Sequence, residues 1–469
     1  MRNITVNGSA GMAVLLDKLD MLGSHSLVVF RDNKLFGEAY WYPYNKNQGQ
    51  SVYSISKSFT AAAMMFAMQE GILSEDTRVC DVLKNKIDFL PGERMRKVTV
   101  RNLLSMTFGY VEQGIQSFYL CSDWIREALQ LQLQNEPGTS FFYDNRCPFL
   151  CSAMLKELTG MDLFDYLRPR LFVPLGMNNV SWEKNAQGYN PGSYGLNIRT
   201  MDIAKFGLFL LNKGIYGGKE LLQRKYVDKL SAVHIDTTGC TNTDDACGYG
   251  YYFWKCSYRH AFRAAGIFGQ YCIILPDENM VIAITGGTEQ EAASAVLSAV
   301  WDFAGSLLPD KHESSIRPQL GRIWEISRPY HGETKGAVPV NEKIIFDNNM
   351  LGLQSMFIKW TAGAKKIFLV LETMTKKFYL RVGYDHWEKN ITGESLDYDS
   401  CATIFYNNAY AACNIAENEI SIRLVYSQSP FVDTFLLKCS GDEVICHYLP
   451  TPQFSVRCHE EYIHGHTAK

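Results

Sequence analysis

The chain has 469 residues, 46% of them hydrophobic and 13% aromatic, with a formal net charge of −3. That length exceeds what one hydrophobic core usually serves and points to two domains, while the near-neutral charge leaves no electrostatic footprint for nucleic acid or anionic lipid. No apolar run approaches the ~20 residues that span a bilayer, and the first residues lack the apolar core of a signal peptide, so a membrane partner and export are not expected.

In chain order, residues 26–42 read as a hairpin, in which apolar runs at 27–31 and 34–40 flank Asp32 and Asn33, a turn pair that tolerates positive φ. Ser54 then opens a helix whose continuation, Ala61 to Met68, is all small or apolar and must be buried. Helix signals recur at 123–132 and 202–212, each opened by a capping Asp. Strand signals return at 248–254, 262–265, 269–275 and 280–285, and a last helix is expected at 289–304. Strand, helical block, strands and helix describe an α+β unit over residues 1–305, an antiparallel sheet packed with helices.

Scattered prolines (Pro309, Pro318, Pro329, Pro339) mark 306–340 as a linker. Beyond it, residues 341–469 break into short strand-like runs at 342–347, 354–360, 366–372, 376–383, 402–407, 420–426, 431–438 and 443–448. Ile420, Ile422, Leu424 and Tyr426 alternate with Ser421, Arg423 and Val425, the period of a half-buried strand. An antiparallel β-domain of barrel-like type is expected. It carries no acid pair, metal-ligand spacing or phosphate loop, so it is expected to shape access or assembly and to take no part in bond cleavage.

The chemistry centres on Ser54 and Lys57. Residues three apart share a helix face, which brings a hydroxyl nucleophile and an amine within hydrogen-bond reach. Ser181 and Lys184 have the same spacing but run into a loop composition, Asn185 to Pro191, and lack a rigid buried helix behind them. Tyr143, followed by Asp144 and Asn145, comes after the Pro137-Gly138 turn and before an apolar helical stretch. A tyrosine beside an ammonium group can have its pKa lowered, and Tyr143 is therefore the candidate base. Gly266, at the end of a strand, allows close backbone approach, so that the amides of Ser54 and Ile267 could together bind an oxyanion. The thirteen cysteines are odd in number, without a C-x-x-C pair. Cys147 and Cys151 share a helix face but cannot alone make a zinc site, so free thiols in a reducing cytoplasm are expected, with no metal and no cofactor.

With these elements in order along residues 20–305, the chain resembles the β-lactamase-related serine hydrolases, which include class C β-lactamases, D,D-peptidases, D-aminopeptidases and esterases and amide hydrolases of the same fold. The resemblance implies that Ser54 is acylated, that Lys57 and Tyr143 move its proton to the leaving group and then activate water, and that Asn145 hydrogen-bonds Lys57 or a substrate amide. It places Phe108, Tyr110, Tyr194 and Phe268 around the cleft, although each could equally be core. The chain departs from the family at Ala264, where members that bind a substrate carboxylate usually carry Lys or His. Ala264 and Gly266 would then flank a substrate without that carboxylate. Arg263 points to the opposite strand face, and His260 reads as a solvated strand-end residue. A small ester or amide is the expected partner, with a β-lactamase or D,D-peptidase and a silent binding protein as the rival readings. Oligomeric state is not encoded.

Overall fold

The computed structural model describes residues 3–6, 10–111, 115–307, 341–360, 365–384, 386–392, 409–416, 419–452 and 459–468. Seven strands form one antiparallel sheet in the order Asn3–Val6, Lys34–Tyr40, Ser24–Arg31, Met280–Gly286, Gln270–Leu275, Phe262–Gly266, Trp254–Lys255. The hairpin turn is built by Asp32 and Asn33 at φ 52° and 60°, the left-handed pair that its strands' twist favours.

Alternation along the central strands divides the core in two. Leu27, Val29, Ile273, Ile282 and Ile284 pack with the helices Ala10–Met21 and Ala293–Ser306. Val28, Ala264, Cys272, Ile274, Val281 and Ala283 face the helical block instead. At its centre lies Ile55–Gln69, buried from Ile55 through Met68, with Phe59 stacked 4.1 Å from Phe206. Its polar residues survive burial because each has a partner: Ser58 Oγ donates to Tyr252 O and Thr60 Oγ1 to Gly192 O, while Ser56 Oγ accepts from the Leu196 amide.

The expected α+β architecture is therefore found, with local corrections. The strand and helix at Asn3–Val6 and Ala10–Met21 had not been anticipated. The helix expected to open at Asp202 begins at Thr200; Asp202 lies in its first turn, bonded to Arg199 at 2.7 Å and to Lys205 at 3.1 Å, rather than capping it. Of 248–254 only Trp254 is strand, because Gly248 and Tyr252 sit at φ 102° and 60°. The final helix runs over Ala293–Ser306 after a short turn.

In the C-terminal region, nine strands from Lys343–Phe346 to Glu461–Ala468 close into a barrel, with Glu388–Asn390 added beside Ala409–Ala416. Closure is a parallel pairing of Gly383 and Tyr384 with Ala412 and Cys413. Ile420, Ile422, Leu424 and Tyr426 all point into its core, as their alternation required. Strands at 388–390, 409–416 and 461–468 were not foreseen. The run at 402–407, and residues 308–340 of the expected 306–340 linker, lie outside the described residues.

Candidate active site

Ser54 stands at the N-terminal end of Ile55–Gln69, partly buried, and Lys57 one turn on is 1% exposed. Lys57 Nζ donates to Ser54 Oγ at 2.8 Å and to the Ser193 carbonyl at 3.0 Å. Burial lowers the Lys57 pKa to about 7 against weaker raising effects of Cys147 and Asp144. An amine that would be charged in water is thus half neutral near physiological pH.

Tyr143 completes the cluster from the turn before helix Arg146–Thr159. Lys57 Nζ lies 4.7 Å over its ring, and the ring stacks 5.9 Å from Trp254 and meets Tyr249 edge-on at 6.4 Å. The expected pKa depression is not what the geometry gives. Burial pushes the Tyr143 phenol well up, outweighing its hydrogen bond with Ser54, and the nearby Asp245 carboxylate raises it further. Tyr143 is therefore a phenol at neutral pH, and of the two groups Lys57 is the one whose pKa is brought toward neutrality.

Asn145 does not take the first of its two expected partners. Its Nδ2 donates to the Tyr119 hydroxyl at 2.7 Å rather than meeting Lys57, and its Oδ1 is buried without a hydrogen-bond partner. Between Tyr143 and Asn145, Asp144 is locked by Arg146 at 2.9 Å, both nearly fully buried. This pair fixes the turn that presents Tyr143.

Gly266 is required by the backbone. A Cβ there would stand 2.4 Å from Val52 O and 3.2 Å from the Ser54 nitrogen. The strand end therefore rests on the turn that delivers the nucleophile, bringing the Ile267 segment beside the Ser54 amide. Ser54 lies ahead of the first helical turn, where an amide has no acceptor within the helix. Two non-glycine residues flank these amides in the left-handed region, Tyr53 at φ 46° and Phe268 at φ 65°, a conformation costing roughly 1–2 kcal/mol each.

Three expected cleft residues are core instead. Ala264 is fully buried against the helical block, Phe108 is 1% exposed in the same core, and Phe268 at 1% is sunk into the barrel core. Residue type alone does not separate cleft from core for such side chains. Tyr110 and Tyr194 keep partial exposure, under the Arg146 guanidinium at 4.8 Å and edge-on to Tyr119 at 5.6 Å. Arg263 is buried on Asp245 and the carbonyls of Asp244 and Lys255; His260 is exposed and paired with Asp277 at 3.0 Å. Ser181 is exposed on a two-residue strand, and Lys184 binds Asp162 at 2.5 Å, so that second serine has no lysine partner. Sequence reasoning missed the Ser193 carbonyl, Tyr119, Trp254 and Tyr249. A carbonyl gives no residue signal, and the aromatics are distant along the chain.

Comparison with known proteins gives one family description, Beta-lactamase, matching residues 15–300. Penicillin-binding protein 4* of Bacillus subtilis is 26% identical over 152 residues, 29% of this chain and 31% of the relative's own length. A Bacillus anthracis structure described as a 6-aminohexanoate-dimer hydrolase superposes with TM-score 0.55 at 22% identity, covering 63% of this chain and 83% of its own. The octameric penicillin-binding protein homologue of Pyrococcus abyssi covers 97% of this chain and 99% of its own, with TM-score 0.50 at 15% identity.

Proposed function

Since the chain belongs to the β-lactamase family, we propose that it is a serine hydrolase that cleaves a small ester or amide through an acyl-enzyme on Ser54. The observation that carries this reading is the 2.8 Å bond from a desolvated Lys57 amine to the Ser54 hydroxyl. In its neutral form Lys57 takes the Ser54 proton as Oγ adds to the substrate carbonyl. The amides of Ser54 and Ile267 receive the developing oxyanion. Collapse needs a proton on the leaving oxygen or nitrogen. The Tyr143 phenol supplies it and is reprotonated by the Lys57 ammonium, so the proton taken from Ser54 leaves with the product. Water then enters by the same groups in reverse and releases the acid.

Carboxylate-bearing β-lactams fit less well, because Ala264 is sealed in the core and Arg263 is held by its own partners. The hydrolase reading is tested with a fluorophosphonate probe and a nitrophenyl ester. The wild-type chain should gain one probe mass at Ser54 and turn over the ester, and Ser54→Ala should do neither. Labelling at Ser181, or ester turnover that survives Ser54→Ala, overturns it.

A further inference from the structure

The two left-handed residues beside the candidate oxyanion amides pack on each other, and one of them packs on the barrel. The Tyr53 ring meets the Phe268 ring edge-on at 5.3 Å, and Phe268 meets Phe431 edge-on at 5.7 Å. Phe431 belongs to the barrel, in the 427–431 loop joining Glu419–Tyr426 to Val432–Ser440. Phe268 is counted among the barrel's own core residues, with Tyr53 and Ile267 packed against that core. The sheet unit thus lends the tip of its Phe262–Gly266 hairpin to the interior of the other unit.

The loop is seated by more than these rings. Ser51, three residues before Ser54, donates its amide to Gln428 O at 2.8 Å. Gln48 Nε2 donates to Ser427 Oγ at 2.5 Å. A Cβ on Gly287 would stand 2.6 Å from Pro430 O, so the loop is fitted tightly against the sheet end as well. Within the loop, the Phe431 amide donates to Ser429 Oγ at 3.1 Å and the Tyr426 amide to Phe431 O at 3.1 Å, which fix its shape.

We propose that the barrel's 427–431 loop, through Phe431, is a positioning element for catalysis that holds Tyr53 and Phe268 in their left-handed turns and so fixes the Ser54 and Ile267 amides at oxyanion geometry. A residue with a Cβ leaves this region of φ unless its surroundings over-determine it. Here one aromatic cluster of three rings contains both residues, and its third ring, Phe431, comes from the barrel. The barrel supplies no reacting group, yet amide placement within the site depends on it. Preorganised donors lose their value when they can move. This inference rests on the hydrolase reading for its catalytic consequence, though not for the mechanical coupling.

The test compares full-length wild type, Phe431→Ala, Phe431→Leu and Met356→Ala, the last a barrel-core change on a strand away from the loop. Two readouts are taken below the unfolding temperature: amide hydrogen exchange over 51–57 and 264–270, and steady-state hydrolysis of a nitrophenyl ester. Phe431→Ala should speed exchange in both segments and lower kcat about tenfold, with KM little changed, as expected for misplaced catalytic groups. Phe431→Leu should fall between, and Met356→Ala should match wild type in both readouts. Unchanged exchange in Phe431→Ala overturns the coupling, and faster exchange with kcat preserved overturns its catalytic role. A wild-type chain that neither turns over the ester nor takes the fluorophosphonate probe, while Phe431→Ala still loosens both segments, overturns the hydrolase reading and supports the coupling.

Discussion

Lys57 has the environment of a base that must lose its charge to work. Burial is the largest influence on it and brings its pKa down to about 7, so the free amine dominates above that pH and the ammonium below. kcat/KM for an ester should therefore rise with pH through about 7 and level off above it. On the proposed mechanism the limb should follow Lys57 and not Tyr143, whose phenol burial drives the other way. A stopped assay across pH on wild type and Tyr143→Phe distinguishes them. The variant should lose activity on the order of 10²-fold, the usual scale for a positioned acid, and retain the acidic limb. A limb that vanishes in Tyr143→Phe would reassign the base to the tyrosine. Ala264 carries a second expectation at this scale. A charge-assisted hydrogen bond contributes roughly 1.5–3 kcal/mol, and no such donor is available from Ala264 or from Arg263, which is held on Asp245. Penicillin or cephalosporin turnover should fall well below that of a neutral ester in kcat/KM. Efficient cephalosporin hydrolysis measured beside the ester would displace the ester or amide assignment.

At the scale of elements, the site depends on a strand end resting on a turn. Of the three nearest atoms a Gly266 side chain would meet, Val52 O and the Ser54 nitrogen belong to the backbone and cannot rotate away, and the third is Gln270 Cβ at 3.1 Å. Gly266→Ala should push the nucleophile turn off its seat and lower ester hydrolysis by about 10²-fold, while circular dichroism remains that of the folded protein. Wild-type turnover in this variant would show that the turn has slack. The serine and lysine were legible because their meeting is a property of one helix. Gly266 was legible as a close approach, but the sequence did not reveal that the approaching group is the protein's own turn. The Ala10–Met21 helix had a readable pattern in Met12, Leu15, Leu16 and Leu19, which lie on one face and are buried or half-buried. Phe108, Ala264 and Phe268 were not legible, since an apolar side chain lines a cleft or fills a core with the same sequence neighbours. The Asn145 contact with Tyr119 and the rings around Tyr143 depend on tertiary contacts that periodicity does not encode.

At the scale of the molecule, the strand alternation of the barrel was visible in residues such as Ile420 and Ile422, whereas its hold on the site was not. Phe268 belongs by sequence to the sheet unit and by packing to the barrel core, so the two units share a hydrophobic cluster where the candidate amides lie. Loss of the barrel fold should then remove activity even while the sheet persists. Leu369, 1% exposed on the barrel strand Lys366–Thr373, offers a lever far along the chain from the 427–431 loop. Leu369→Ala should cost about 2–5 kcal/mol through transfer and cavity terms. In a thermal ramp with ester hydrolysis read alongside calorimetry, this variant should lose activity at the lowered barrel transition, below the temperature at which the seven-stranded sheet melts. A single transition moved as a whole would mean that the shared cluster couples both units into one cooperative fold, and activity should then follow that transition. Hydrolysis that continues above the barrel's transition would show that Tyr53 and Phe268 keep their turns without it.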